Sequence, residues 1–334
     1  MRAVGYKHSL PIDDAQSLMD LEIEEPAPQG RDLLVEVKAV SVNPVDTKVR
    51  MRMSPKGGAP KILGYDASGV VVAAGADAKL FKPGDSVFYA GSISRSGTNS
   101  QLHLVDERIV GKKPTTLGFA AAAALPLTSI AAWETLFGRL EINRQKGKSM
   151  LILGAGGGVG SIAIQLARAL SDLTVVATAS RPETADWCRE LGAHHVIDHS
   201  KPMAAQLETL GYRFIDYIFG VNGTGQHYDA IVEIISPQGK LGIIDDPGAI
   251  GIDKMKGKSA SLHWESMFTR STFQTSDIEE QHRLLNEVAR LIDTGSIKTT
   301  LADNLGAINA NNLKRAHTLI EGGHVRGKIV LEGF

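Results

Sequence analysis

The stretch LILGAGGGVGSIAIQLAR (151–168) limits what this chain can fold into more than any other. An apolar run, MLILGA (150–155), enters a turn of consecutive glycines. VGSIAIQLARAL (159–170) leaves it with Val159, Ile162, Ala163, Leu166, Ala167 and Leu170 at helical spacing. A buried strand that passes through glycines straight into a helix opens a β-α-β unit. Gly157 and Gly158 let the backbone approach a pyrophosphate. Val159 begins the helix, whose free amides and positive end face that group. Gly160 allows the helix to lie close on the strand. Ala155 stands where the full dinucleotide fingerprint has its first glycine, so the turn reads A-G-G-G-V-G. A glycine turn alone also suits a flexible loop in another α/β protein. The strand–turn–helix setting is what favours a dinucleotide.

The rest of the chain fits around that unit. After 149, apolar strands alternate with helical patterns: TVVATA (174–179), RPETADWCRELGA (181–193), HVID (195–198), FIDYIFG (214–220) and GKLGIID (239–245). This alternation predicts an α/β fold with a parallel, doubly wound sheet. The first third reads differently. RDLLVEVKAVSV (31–42) alternates with Leu33, Val35, Val37 and Ala39 on one face. SGVVVAAG (68–75), SVFYAG (86–91) and SQLHLVD (100–106) add strands with few helices between them, as in a compact β-rich domain. FKPGD (81–85) places Pro and Gly at the centre of a type II turn. An Ala-rich helical stretch, 115–137, is broken at Pro126. The tail carries helices over 278–295 and 311–323, then a strand, GKIVLEGF (327–334), that can rejoin the first domain.

With 334 residues, two domains are the natural expectation. Lys and Arg total 36 against 37 Asp and Glu, so charge gives no reason to expect nucleic acid or an anionic membrane as partner. Cys188 is the only cysteine, which excludes an internal disulfide and every multi-cysteine zinc site. The opening MRAVGYKHSL lacks a secretory apolar core, and no uninterrupted apolar run approaches membrane-spanning length, so a cytoplasmic protein is expected.

The end of the second Rossmann strand predicts the cofactor. An NAD enzyme places Asp or Glu there for the ribose hydroxyls. ATASRPE (177–183) has Ala179 and Ser180 instead, followed by Arg181. Ser180 and Arg181 suit the 2′-phosphate of NADPH, and His199 beyond the third strand is a further contact. The alternative for Arg181 is an ordinary exposed loop residue. His194, His195 and His199 read as strand-end histidines rather than a metal site.

GYDASGVVVAAG (64–75) with LFKPGDSVF (80–88), then AAALPLTSIAAWETL (122–136), GAGGGVGSIAIQLAR (154–168) and GKIVL (327–331) occur in the order found in medium-chain dehydrogenases/reductases. Over essentially its whole length the chain resembles the zinc-free, quinone oxidoreductase-like branch. The resemblance implies a GroES-like catalytic domain over 1–122 and 268–334, a Rossmann NADPH-binding domain over 123–267, and an active site in the cleft between them. It also implies that zinc ligands are absent. Zinc members have Cys in the segment matching SVNPVD and His in the one matching GYD, where this chain has Asn43 and Tyr65. Val45 replaces the hydroxyl that relays a proton in those members. Thr128, Asn222 and Lys328 match cofactor neighbours, although each also suits a turn or strand edge.

Asn43, Asp46 and Tyr65 are the expected catalytic group. Asn43 would bond a carbonyl or the nicotinamide ribose, and Tyr65 would donate to a reduced oxygen. Their structural alternatives are a turn, a helix cap for Asp46, and a core tyrosine. The expected function is hydride transfer from NADPH to a quinone or related electron-poor carbonyl. The alternatives are an NADPH-dependent reductase of enals and enones, or an NADPH-binding protein without turnover. VRMRMSPKGG (49–58) lacks the tyrosine of similar enoyl reductases, which counts against that role. SASLHWESMF (259–268) reads as a late strand through which a homodimer would form.

Overall fold

The computed structural model describes residues 1–55, 57–142 and 147–334. By internal packing the chain divides into two units, Met1–Ile130 with Phe268–Phe334, and Ala131–Met267. Residues 123–130, expected from the sequence in the second unit, pack within the first.

The first unit begins with β1 (Arg2–Tyr6), β2 (Met19–Glu22) and β3 (Asp32–Val42), then helix α1 (Pro44–Arg52), β4 (Lys61–Ile62), β5 (Ala67–Ala74), β6 (Ser86–Tyr89), β7 (Leu102–Asp106) and β8 (Val110–Lys112). In β3, Leu33, Val35 and Val37 are buried while Asp32, Leu34, Glu36 and Lys38 are less so, the period-2 signature of one core face; from Ala39 to Val42 both faces are buried. Gly84, between β5 and β6, has φ +94°, and the Asp85 amide donates to the Lys82 carbonyl at 3.1 Å. That is the turn expected from Pro-Gly.

Two short helices follow, α2 (Phe119–Ala123) and α3 (Pro126–Trp133), and α3 runs on as a π-helix over Glu134–Arg139. Pro126 starts α3, having no amide hydrogen to offer a preceding turn. Among the described residues the stretch Phe119–Arg139 is long and apolar enough to cross a membrane, which the sequence reading did not anticipate. Its most apolar window is 78% buried within the protein, as a core helix is.

The second unit is a Rossmann-type sheet. Its elements run β9 (Ser149–Leu153), α4 (Gly158–Leu170), β10 (Thr174–Thr178), α5 (Pro182–Glu190), β11 (His195–Ile197), α6 (Met203–Thr209), β12 (Ile215–Gly220), α7 (Tyr228–Ile234), β13 (Ile235–Ile243) and β14 (Ser261–Trp264). The strands are parallel in the order β11-β10-β9-β12-β13-β14. Leu151, Val176, Ile218 and Leu241 of the strands and Leu207 and Ile231 of the helices share one buried cluster. A Cβ on Gly160 would lie 2.5 Å from the Ala155 Cα, so only glycine lets α4 start this close to the turn. More of α4 is buried than one apolar face. Ile164 and Gln165 are covered too, and Trp187 of α5 donates to the Ser161 hydroxyl at 2.8 Å.

The chain then returns to the first unit through α8 (Thr269–Phe273), α9 (Glu280–Asp293), β15 (Leu301–Asn304), α10 (Ala310–Glu321) and β16 (Lys328–Glu332). β16 pairs antiparallel with β3, Ile329 opposite Val42 and Leu331 opposite Val40, so the tail strand completes the sheet begun near the N-terminus. Helices α6 and α7 and strand β15 carry no sequence pattern strong enough to have marked them: each is short, and much of its surface is exposed.

Candidate functional site

In the second unit the parallel order reverses at β9, whose neighbours are β10 on one side and β12 on the other. Ligands of open α/β sheets bind beyond the carboxyl ends of the strands at such a switch point. The glycine turn lies there. Gly154 has φ +77°, and its amide donates to the Thr178 hydroxyl at 3.2 Å. Ala155, Gly156 and Gly160 are buried, while Gly157, Gly158 and Val159 keep partial exposure. A Cβ on Gly157 would meet nothing closer than 3.7 Å. The turn therefore presents open backbone and the first amides of α4, which have no acceptor within the helix.

Loops from the neighbouring strands meet this turn. A Cβ on Gly156 would stand 2.1 Å from Thr184 Cγ2, so the first turn of α5 lies directly against it. Ala179 is buried, Ser180 is exposed, and Arg181 is the N-cap residue of α5 with its Nε 3.6 Å from the Glu183 carboxylate. His199, just past β11, has a buried Nδ1 with no partner, and its ring meets His227 edge-on at 5.6 Å. Asn222, past β12, is exposed, and its backbone nitrogen would be 3.2 Å from a Cβ on Gly154. Thr184, Thr224 and Asp245, not singled out from the sequence, also carry buried oxygens without partners. Open glycine backbone together with unsatisfied polar atoms fits a dinucleotide.

The first unit holds a buried polar cluster. Asp66 is fully buried and accepts from Ser41 Oγ (2.8 Å), Asn43 Nδ2 (2.8 Å), the Leu127 amide (2.7 Å) and Lys328 Nζ (3.1 Å). Lys328 also donates to the Val42 carbonyl (3.0 Å) and to Asn43 Oδ1. Those three acceptors use all the hydrogens of its ammonium. Asp46 accepts from the amides of Asn43 (2.8 Å) and Gly64 (3.0 Å), the first being half of a helix-capping arrangement. Burial raises the Asp66 carboxyl against the opposing pull of Lys328, and it lowers the Lys328 ammonium. Burial pushes Asp46 up to about 7, against its hydrogen bond from the Asn43 amide and the charge of Lys328.

Asn43 and Asp46 are thus brought together with Lys328, expected as a cofactor neighbour, and with Asp66, which the sequence reading missed. An acid opening an apolar strand in GYDASG, and a lysine in GKIVL, were the available signals: buried charges need partners. Tyr65 is buried with its hydroxyl unpartnered, and its ring lies edge-on to Phe268 at 5.3 Å. Burial raises its phenol. Thr128 is buried in α3 and its hydroxyl donates to the Leu125 carbonyl at 3.0 Å.

These residues do not fit zinc. All four carboxylate oxygens of Asp46 and Asp66 already accept hydrogen bonds, and Lys328 supplies the local cation. Asn43 and Tyr65 offer neither thiolate nor imidazole. Among the described residues no three His, Cys, Asp or Glu side chains converge.

Residues 29–130 match the family model for the alcohol dehydrogenase GroES-like domain, and 191–331 match that for zinc-binding dehydrogenase. A zinc-type alcohol dehydrogenase-like protein of Staphylococcus aureus is 38% identical, with 99% of each chain covered. The chain belongs to the medium-chain dehydrogenase/reductase superfamily. It is an oxidoreductase of that superfamily, with a GroES-like β domain and a Rossmann domain. A Rhizobium etli protein whose structure is designated a zinc-dependent alcohol dehydrogenase is 57% identical, with TM-score 0.98 and 100% and 98% of the two chains covered. Escherichia coli quinone oxidoreductase, solved with NADPH, shares the fold at 24% identity and TM-score 0.85, covering 99% of this chain and 100% of its own. The zinc in the names of the first two has no matching set of donors in the cluster around Asn43, Asp46, Tyr65 and Asp66.

Asp66→Asn should destabilise the protein by about 3–5 kcal/mol, because it leaves the Lys328 ammonium buried without its charge partner. Adding Lys328→Met should recover much of that loss. Urea unfolding of the single and double variants measures both, and a single variant as stable as wild type would refute the role of Asp66 as keystone.

Proposed function

We propose that this medium-chain dehydrogenase/reductase is an NADPH-dependent reductase of quinones and related electron-poor carbonyls, working without zinc. The observation that carries this reading is the open glycine turn beside Arg181, with no acid at the end of β10. When bound, NADPH supplies a hydride. The chain's residues bind and orient the dinucleotide: Gly157, Gly158 and Val159 through backbone amides, Ser180, Arg181 and His199 toward the 2′-phosphate, and Asn222 from the neighbouring loop.

The acceptor class follows from what Asn43, Asp46 and Tyr65 can offer. Both carboxylate oxygens of Asp46 already accept hydrogen bonds, and no Lewis acid fits among these residues. With no metal to polarise it, an acceptor that gains stability on reduction is favoured. A quinone gains it by becoming an aromatic hydroquinone, whereas a simple ketone gains no such stabilisation even with a proton from Tyr65. The free Tyr65 hydroxyl supports a proton-donating role, and its raised pKa keeps it protonated.

Purified protein dialysed against a strong chelator should still oxidise NADPH with a quinone, faster than with enals or simple ketones. Loss of turnover on chelation, restored by zinc, would overturn the reading. Faster turnover of enals would favour alkene reduction instead.

A homodimer is proposed through β14, which among the described residues pairs only with β13 and ends in Trp264, 56% exposed. Light scattering at micromolar concentration should give twice the chain mass, and proline at Leu262 or His263 should reduce it. A monomeric wild type refutes this assembly.

Arg181→Ala should weaken NADPH by roughly ten- to a hundred-fold and leave NADH nearly unchanged, since one charge-assisted contact to the phosphate is lost. Dissociation constants for both cofactors test this. Equal weakening of the two would make Arg181 a loop support and remove the basis for NADPH preference.

A further inference from the structure

The Tyr65 hydroxyl has no hydrogen-bond partner, so its place depends on the backbone that carries it and on the edge of Phe268. That backbone is held by the loop before β7. The Gly97 amide donates to the Ile62 carbonyl at 3.1 Å, the Asn99 amide to Leu63 at 2.9 Å and the Thr98 amide to Gly64 at 3.0 Å. The Thr98 hydroxyl donates to the Asp66 carbonyl at 3.1 Å, so one residue fixes the carbonyls on both sides of Tyr65. The two backbones meet with no side chain between them: a Cβ on Gly97 would stand 2.3 Å from the Leu63 carbonyl carbon and oxygen. In so close a contact, a shift at the start of the loop reaches Tyr65.

Ser96 precedes these paired residues, and a buried histidine holds it. His103 of β7 meets the Ser96 carbonyl through Nε2 at 2.9 Å and the Tyr89 hydroxyl through Nδ1 at 3.1 Å, its ring stacked on that of Tyr89. A carbonyl only accepts, so Nε2 carries the hydrogen and Nδ1 accepts from Tyr89. Burial lowers the imidazole to about 4, which keeps it in this neutral form. Arg95 beside Ser96 pairs with Asp32 at 2.7 and 3.0 Å, but both side chains are partly exposed, and such pairs hold a loop weakly. We propose that His103 is a positioning residue for Tyr65, setting the place of its hydroxyl through Ser96 and the pairing of 97–99 with 62–66. The assignment rests on the proton-donor reading of Tyr65 above.

His103→Asn and His103→Gln separate this role from a general structural one. The glutamine amide nitrogen can take the place of Nε2 and keep the bond to Ser96, whereas asparagine, one methylene shorter, cannot reach it. Quinone turnover and the NADPH dissociation constant are measured for both variants, in the wild-type and Tyr65→Phe backgrounds. His103→Asn should lower kcat roughly ten- to a hundred-fold, as a small misplacement of a reacting group does, and leave NADPH affinity unchanged. His103→Gln should restore most of that rate. In the Tyr65→Phe background, where the hydroxyl is already gone, His103→Asn should lower kcat no further. Thr98→Val cuts the next link and should behave like His103→Asn in both backgrounds; it carries the test if the asparagine variant does not fold. An equal loss in the two backgrounds overturns the assignment, as does unchanged kcat in the wild-type background or a glutamine variant as slow as the asparagine one. Tyr65→Phe with the kcat of wild type overturns the proton-donor reading together with this one.

Discussion

A carboxylate with no access to water organises the first unit. Asp66 draws together the end of β3, the start of α3 and the tail strand β16, because Ser41, Asn43, the Leu127 amide and Lys328 all donate to it. An ion this deeply buried is tolerated only when it is paired and hydrogen-bonded. The requirement fixes the backbone of four segments at once, Asp46 adding the Asn43 and Gly64 amides beside it. Asn43 is held through both ends of its amide group, one to Asp66 and one to Lys328. The same bonds that make the cluster rigid make it a poor metal cradle.

The second unit is ordered by shape more than by charge. Gly160 lets α4 approach the turn, Gly156 lets α5 approach it from the side, and Trp187 ties the two helices through Ser161. Backbone of Gly157, Gly158 and Val159 keeps partial exposure at the carboxyl ends of the strands, and near it lie a few buried side-chain oxygens and one buried histidine nitrogen with no hydrogen-bond partner. Buried polar atoms without partners beside a glycine turn are a different arrangement from the hydrogen-bonded cluster around Asp66, which holds segments of the first unit together.

The long, periodic elements were legible in the sequence. The alternation in β3, the apolar strand into α4 and the amphipathic α9 all stand where their patterns put them, since each buries a regular face. Short elements such as α6, α7 and β15 owe their shape to neighbours rather than to their own pattern. The glycine turn between β9 and α4 was readable because strand, turn and helix occur in one continuous run. The Asp66 cluster was not, since its members lie far apart in sequence and only the topology makes them meet. Lys328 shows the limit most clearly: the sequence marks it only as a match to a cofactor neighbour, and its three hydrogen bonds to Val42, Asn43 and Asp66 come from segments far away in the chain.

The pairing of β16 with β3 has a bearing on how the protein is made. Lys328 leaves the ribosome 262 residues after Asp66 and 285 after Asn43. The whole of Ala131–Met267 is synthesised in between, as one uninterrupted stretch with its own sheet. During that interval β3 has an open edge where β16 will lie, and the Asp66 carboxylate has no cation to face. The unit whose first residue is made earliest is therefore the one that cannot be finished until its return segment emerges, while the inserted unit has every strand it needs beforehand.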